Sequence, residues 1–410
     1  MSLVKPFRAL RPLPQHAADV VAPPYDVVDT DEARALAKGR PLSFLHVSRP
    51  EIDLPDGTDP YSDRVYAQGA ANLERLVHKG VLVREQAPSF YVYRMRVGDH
   101  EQTGVACVAS VKAYEEDRIR KHELTRPDKE TDRVRNIDAL NAQTGPVLCA
   151  YRATDALRAL LADAATGEPL LDVDGSQQAR HTIWRISDAA TVARVERELD
   201  ALGRLYIADG HHRSAAAARI AEARRKGTGA APDASHEYFL TVAFPHDEMR
   251  ILAYNRAVAD LNGATPQAFV EAVGRVFDVA PSPGPVEPEA PGKLGMYLDG
   301  RWHVLTLRGA LPDDPVARLD VSLLQERINA PLLGIENPRT DPRIAFVGGI
   351  RGVAELERLV DQGRAAVAFS LHPTTMEQLM AVADAGRLMP PKSTWFEPKL
   401  ADGLLSHVLD

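Results

Sequence analysis

Residues 204–214 read RLYIADGHHRS. An apolar run of strand type stops at Asp209 and Gly210, and a helix-forming segment begins at His211, His212 and Arg213. The first turn of a helix carries unpaired backbone N–H groups and a partial positive charge, so it attracts anions, phosphate above all. There, Gly210 lets a ligand approach the backbone closely, and Arg213 can fork onto two phosphate oxygens. Asp209, His211 and His212 are the residues able to move a proton or activate a hydroxyl, with Asp209 read as the base. The plainer reading makes Asp209 a helix cap and leaves both histidines in solvent. Two histidines in a first turn suit the helix dipole poorly without an anion, which favours a site. Adjacent helical residues point about 100° apart, so His211 and His212 do not read as a two-histidine metal site. No protein-bound metal is expected.

Three further segments mix reactive side chains. The run RKHELTRPDKETDR holds Lys121, His122, Glu123 and Thr125, then Lys129 and Arg133 four residues apart on one helix face. That spacing suits a second phosphate clamp, although charge runs are more often solvated faces. Residues 389–399, MPPKSTWFEPK, place Lys392, Ser393 and Thr394 in a loop stiffened by prolines. The GxxxxGK of a P-loop is missing before them, so that reading is rejected. A tail docked by Trp395 and Phe396 explains the same segment. Residues 22–27, APPYDV, set Tyr25 and Asp26 either at a pocket or on a proline-shaped edge strand.

The elements that must position these residues follow from periodicity. Helices are expected over 29–39, 60–80, from about Asp128, and over 155–167, 188–202 and 211–227. Hairpins are expected around Gly98-Asp99, Asp174-Gly175 and Asp299-Gly300. EYFLTVAF and RILAYNRAV read as two strands close enough to pair. The loop over 227–236 reads as a mobile Gly/Ala/Pro segment. Five prolines in 281–292 mark a linker or exposed loop. The pattern is α+β, with mixed sheets and several hairpins. Three regions, 1–150, 151–280 and 281–410, are expected to pack around one pocket.

The chain has 410 residues, 45% of them hydrophobic, and a net charge of -8. That balance supplies a core and argues against a nucleic-acid or membrane-surface binder, which needs a basic face. The two cysteines, Cys107 and Cys149, sit in apolar runs and read as small buried hydrophobes. No CxxC pair, signal-peptide stretch or ~20-residue apolar run is present, so a cytoplasmic protein is expected.

In order, PPYDV, KHELT followed by DR, ADGHHR and MPPKSTWFEPKL resemble the domain-of-unknown-function 1015 family. The DGHHR turn also resembles the phosphate-binding turn of the ParB/sulfiredoxin superfamily, whose members bind CTP, use ATP, or phosphorylate free serine with ATP or ADP. That resemblance implies a ParB/sulfiredoxin-like core elaborated by large insertions. It implies that Gly210 and Arg213 hold phosphates and that PPYDV lines the same pocket. The sulfiredoxin cysteine is replaced by His211, so sulfinic-acid reduction is not expected. About 180 residues separate PPYDV from DGHHR, far more than a compact core needs.

The expectation is therefore a phosphate- or nucleotide-handling enzyme acting on a small metabolite, kinase-like or phosphatase-like. ATP or ADP with Mg²⁺ would be the cofactor, and serine or phosphoserine the favoured substrate type. A nucleotide-binding switch without turnover is the alternative, and a ParB-like DNA-associated protein a third reading. The sequence leaves the oligomeric state open.

Overall fold

The strand Tyr238–Pro245 is buried at every position, the pattern of a strand covered on both faces. In the computed structural model, which describes residues 2–228 and 231–410, it lies at the centre of a nine-stranded mixed sheet. His100–Ser110 runs antiparallel on one side and Val147–Tyr151 parallel on the other. The expected pairing with RILAYNRAV does not occur. That segment splits into Arg250–Leu252, paired with Trp395–Glu397, and Tyr254–Val258, paired with Ile344–Gly348 and Val367–Leu371.

From one edge the large sheet runs Ile119–Arg120, Leu205–Asp209, Val147–Tyr151, Tyr238–Pro245, His100–Ser110, Phe90–Val97, Arg180–Ile186 and Leu171–Asp174. Val4–Lys5 pairs onto His100–Ser110. The hairpins at Gly98-Asp99 and Asp174-Gly175 form as expected. Cys107 and Cys149 are both buried in this sheet, and burial pushes the Cys149 thiol up to about 12. They pack as inert hydrophobes.

Chain contacts divide the protein into two compact units. The first holds the residues up to Met249 together with Pro398–Asp410, and the second is Arg250–Glu397. Positions 150 and 280, where region boundaries were expected, fall inside the strands Val147–Tyr151 and Phe277–Ser282. In the second unit a six-stranded sheet runs Phe277–Ser282, Arg301–Leu307, Lys293–Leu298, Val367–Leu371, Tyr254–Val258 and Ile344–Gly348. The proline-rich segment 281–292 joins two strands of that sheet, so it is a loop within one unit. Of the loop expected over 227–236, Gly229 and Ala230 lie outside the described residues.

Two helices of the first unit bear directly on the site. Pro127–Leu140 begins with proline in its first turn and ends where Asn141 turns left-handed at φ 47°. His211–Thr228 is alanine-rich on two sides. Ala217 and Ala221 enter the main core with Cys149, Ile207 and Phe239. Ala216 and Ile220 pack against Ile137 and Leu409. Small side chains let the two helices and the final residues approach closely. The architecture is α+β with mixed and antiparallel sheets, as expected. No helix among the described residues is long and apolar enough to cross a membrane.

Candidate functional site

Strand Leu205–Asp209 loses its register against Val147–Tyr151 between Ile207 and Asp209. Such an irregularity re-aims the side chain that follows it, here Asp209. Gly210 then takes φ +103°, a conformation that L side chains rarely adopt. Its carbonyl accepts the N–H groups of Arg213 at 2.9 Å and Ser214 at 3.0 Å, which starts the helix. A Cβ on Gly210 would lie 3.1 Å from Arg213 Nε and 3.3 Å from Val147 Cα. The position a Cβ would take on Gly210 is therefore occupied by the guanidinium of Arg213. Gly210→Ala is expected to cost about 1–3 kcal/mol through backbone strain and displacement of Arg213. Urea unfolding checks this, and an unchanged midpoint would contradict it.

Arg213 is the hub of the turn. Its side chain is buried, and Nη1 donates to the Pro146 carbonyl. Nη2 lies 3.6 Å from Asp26 Oδ2 and 3.7 Å from Asp209 Oδ1. Among the described residues Arg213 Nε has no hydrogen-bond partner, and neither has the buried Asp402 Oδ1. Both residues line a small cavity of about 30 Å³, together with Tyr25, Arg133, Gln143 and Thr144. That volume admits water. Burial pushes the Asp402 carboxyl up to about 7, with Asp26 adding to the rise and Arg213 and Arg133 opposing it.

Asp209 faces two cations. Lys399 Nζ donates to its Oδ2 at 2.9 Å, and Arg213 flanks the other oxygen. Burial raises the carboxyl, but Lys399 and Arg213 together outweigh it and hold it well below the usual carboxylate range. A carboxylate held that low is a weak proton acceptor. It is suited to orienting a hydroxyl or holding a cation. Its side chain still keeps 31% of its surface open to solvent.

The histidines diverge as their spacing requires. His212 Nε2 accepts the backbone N–H of Arg126 at 3.0 Å. His211 turns inward, edge-on to His122 with ring centroids 4.5 Å apart. The His122 backbone N–H reaches His211 Nε2 at 3.4 Å, and Glu123 Oε2 stands 3.9 Å from His211 Nδ1. Burial lowers His122 to about 4 and His211 well below its ordinary value. Both are neutral imidazoles at pH 7.

The remaining expected residues each have partners of their own. Lys121 pairs with Asp117 at 3.1 Å and lies over the Tyr114 ring. Thr125 Oγ1 donates to Glu130 at 3.0 Å. Lys129 donates to Tyr61 Oη at 2.7 Å. Arg133 instead stacks 3.8 Å over the Tyr25 ring and pairs with Asp132 at 2.7 Å, so Lys129 and Arg133 do not converge on one ligand position. Lys392, Ser393 and Thr394 belong to the second unit. Lys392 is left-handed at φ 55°, and its ammonium stands 5.7 Å from the Tyr254 ring centroid. Ser393 Oγ donates to the Pro390 carbonyl at 2.6 Å, and Arg256 donates to the Lys392 carbonyl at 3.0 Å. Sequence reasoning missed Lys399 and Asp402. Lys399 stands inside the MPPKSTWFEPK segment, but nothing in its spacing ties it to Asp209.

No curated protein matches the chain. Among solved structures, it is similar to a free serine kinase variant in complex with AMP, at 14% identity and a TM-score of 0.34, over 71% of this chain and 87% of that one. Another variant of the kinase, in complex with ADP, matches at 15% identity with a TM-score of 0.34, over 71% and 87%. SbnI with C-terminal truncation, from Staphylococcus aureus, matches at 14% identity with a TM-score of 0.37, over 72% and 85%. These likenesses assign no role to any residue. Residues 4–322, which carry the APPYDV segment, the KHELT loop and the DGHHR turn, match the family described as "Protein of unknown function (DUF1015)", and the chain belongs to that family.

Proposed function

We propose that the first unit is a phosphate-handling enzyme acting on a small metabolite at the DGHHR turn. The observation that carries this reading is an ionised Asp209 held between Lys399 and Arg213 at the start of an 18-residue helix. A phosphoryl group at a helix start meets the positive end of the dipole. Two neighbouring cations offset charge that develops on its oxygens. Asp209 orients the accepting or leaving hydroxyl. His212 is partly exposed and can titrate at the edge of the turn. In this reading ATP or ADP with Mg²⁺ supplies or receives the phosphoryl group, and the resemblance of the turn to that of free-serine kinases favours serine or phosphoserine.

The low proton affinity of Asp209 favours one second reading, a nucleotide-binding switch without turnover. A nucleotide panel with Mg²⁺ separates the two. ADP or phosphate release is measured across serine, phosphoserine and other small hydroxyl metabolites. Turnover is expected in the parent and a drop of at least about 100-fold in Asp209→Asn and Arg213→Ala. Binding without turnover supports the switch. Equal turnover by parent and both variants removes Asp209 and Arg213 from the chemistry.

A further inference from the structure

Expectation from sequence set metal binding aside because His211 and His212 diverge. The fold supplies a different partner. His122, Glu123 and His211 bring one ligand atom each to within 4.8 Å of one another. Two of them, His122 and His211, are 2% and 5% exposed. Neither ring nitrogen of His122 has a hydrogen-bond partner among the described residues. The Ile207 backbone lies near the ring but outside hydrogen-bond geometry. A buried imidazole with both nitrogens unused is costly, and buried polar groups normally find a partner. The contact from the His122 backbone to His211 is long, at 3.4 Å, and holds that ring only weakly. Glu123 closes the group from the solvent side, with 47% of its side chain exposed.

We propose that His122, Glu123 and His211 bind a divalent first-row transition ion, with Zn²⁺ the simplest occupant. Two imidazoles and a carboxylate are a borderline-soft set that favours Zn²⁺, Co²⁺ or Mn²⁺ over the all-oxygen preference of Mg²⁺. Ligand atoms around one tetrahedral ion stand about 3.4 Å apart, as follows from bond lengths near 2.0–2.1 Å. The present spacing therefore closes by up to about 1.4 Å on loading, and the exposed Glu123 side chain has room to move. Three protein ligands leave at least one coordination position open, the arrangement of sites that take a water or a ligand oxygen. The binding of the ion stands apart from the phosphate reading. Its use on a phosphate oxygen rests on that reading.

The test uses the full chain, stripped with a chelator and titrated with Co²⁺ and then Zn²⁺ alone. Calorimetry and the visible absorption of bound Co²⁺ are the readouts, with no substrate present. One equivalent per chain is expected, displaced by Zn²⁺ and not by Mg²⁺. Glu123→Gln should weaken binding about tenfold or more and change the Co²⁺ spectrum. His122→Ala and His211→Ala should abolish it. Should either histidine variant fail to fold, Glu123→Gln still decides, because its side chain is exposed. His78→Ala, at an exposed helix position, should bind like the parent. The proposal is overturned by a parent that takes up no ion, by Glu123→Gln within twofold of it with the same spectrum, or by loss of binding in His78→Ala. Phosphate turnover that survives metal stripping would leave the ion's binding intact and remove only its catalytic use.

Discussion

Arg213→Ala is expected to destabilise the first unit by about 3–5 kcal/mol at pH 8, the range for removing one member of a buried charge network. Arg213 is the common neighbour of Asp26, Asp209 and the Pro146 carbonyl. Without it Asp209 keeps Lys399, but Asp26 loses a cation and Asp402 loses the guanidinium that favours its ionised form. Arg213→Lys should recover only part of the loss. An ammonium is a point charge without the fork that reaches a carbonyl and two carboxylates at once. Urea unfolding of the parent and both variants measures this. A loss below about 1 kcal/mol for Arg213→Ala would mean that the carboxylates are not held by Arg213.

The second large effect is one of pH. Asp402 is raised from 3.8 to about 7 in the folded protein, chiefly by burial. Below pH 4 the folded and unfolded states both carry the proton, and above pH 7 neither does. Between these limits the folded state binds more protons, so stability falls as pH rises through the window. A rise of that size, roughly three powers of ten in proton affinity, corresponds to about 4 kcal/mol. Buried histidines act in the opposite sense over much of the same range. His181 and His407 are both lowered to about 4 by burial, and their contribution is lost as pH falls. The difference between parent and Asp402→Asn cancels them. Asp402→Asn should gain about 4 kcal/mol relative to the parent between pH 4 and pH 8. A difference that stays flat across this range would show that Asp402 titrates normally. At pH 5, where Asp402 is protonated, the cost of Arg213→Ala should be smaller than at pH 8.

How much of this could be read from the sequence differs by feature. The helix start at His211 was legible because an apolar run, a glycine and a helix-forming run follow one another. The meeting of His122 with His211 was not legible. It depends on the parallel pairing of Ile119–Arg120 with Leu205–Tyr206, which brings the KHELT loop alongside the turn. A two-residue strand has no periodicity to detect, and the residues it brings together are 89 apart. Lys399 is harder still, 190 positions from the Asp209 it pairs with. Lys129 and Arg133 show the converse failure. Their spacing put them on one helix face, but Tyr25 and Tyr61 drew them to different partners.

The second unit interrupts the first between Met249 and Pro398, and its first and last residues, Arg250 and Glu397, face each other across a two-stranded ribbon. Lys399 and Asp402 follow that ribbon directly. An unstructured excursion of about 150 residues would impose a closure entropy of roughly 4 kcal/mol on bringing Lys399 back to Asp209. Once the ribbon zips, the excursion behaves as a connection of a few residues. Completion of the Asp209 environment is thereby made conditional on the folding of a separately built body. A lesion that unfolds the inserted unit would hinder the return of Lys399 to Asp209 without touching any residue of the turn. During synthesis, the turn remains incomplete until the whole insertion has emerged.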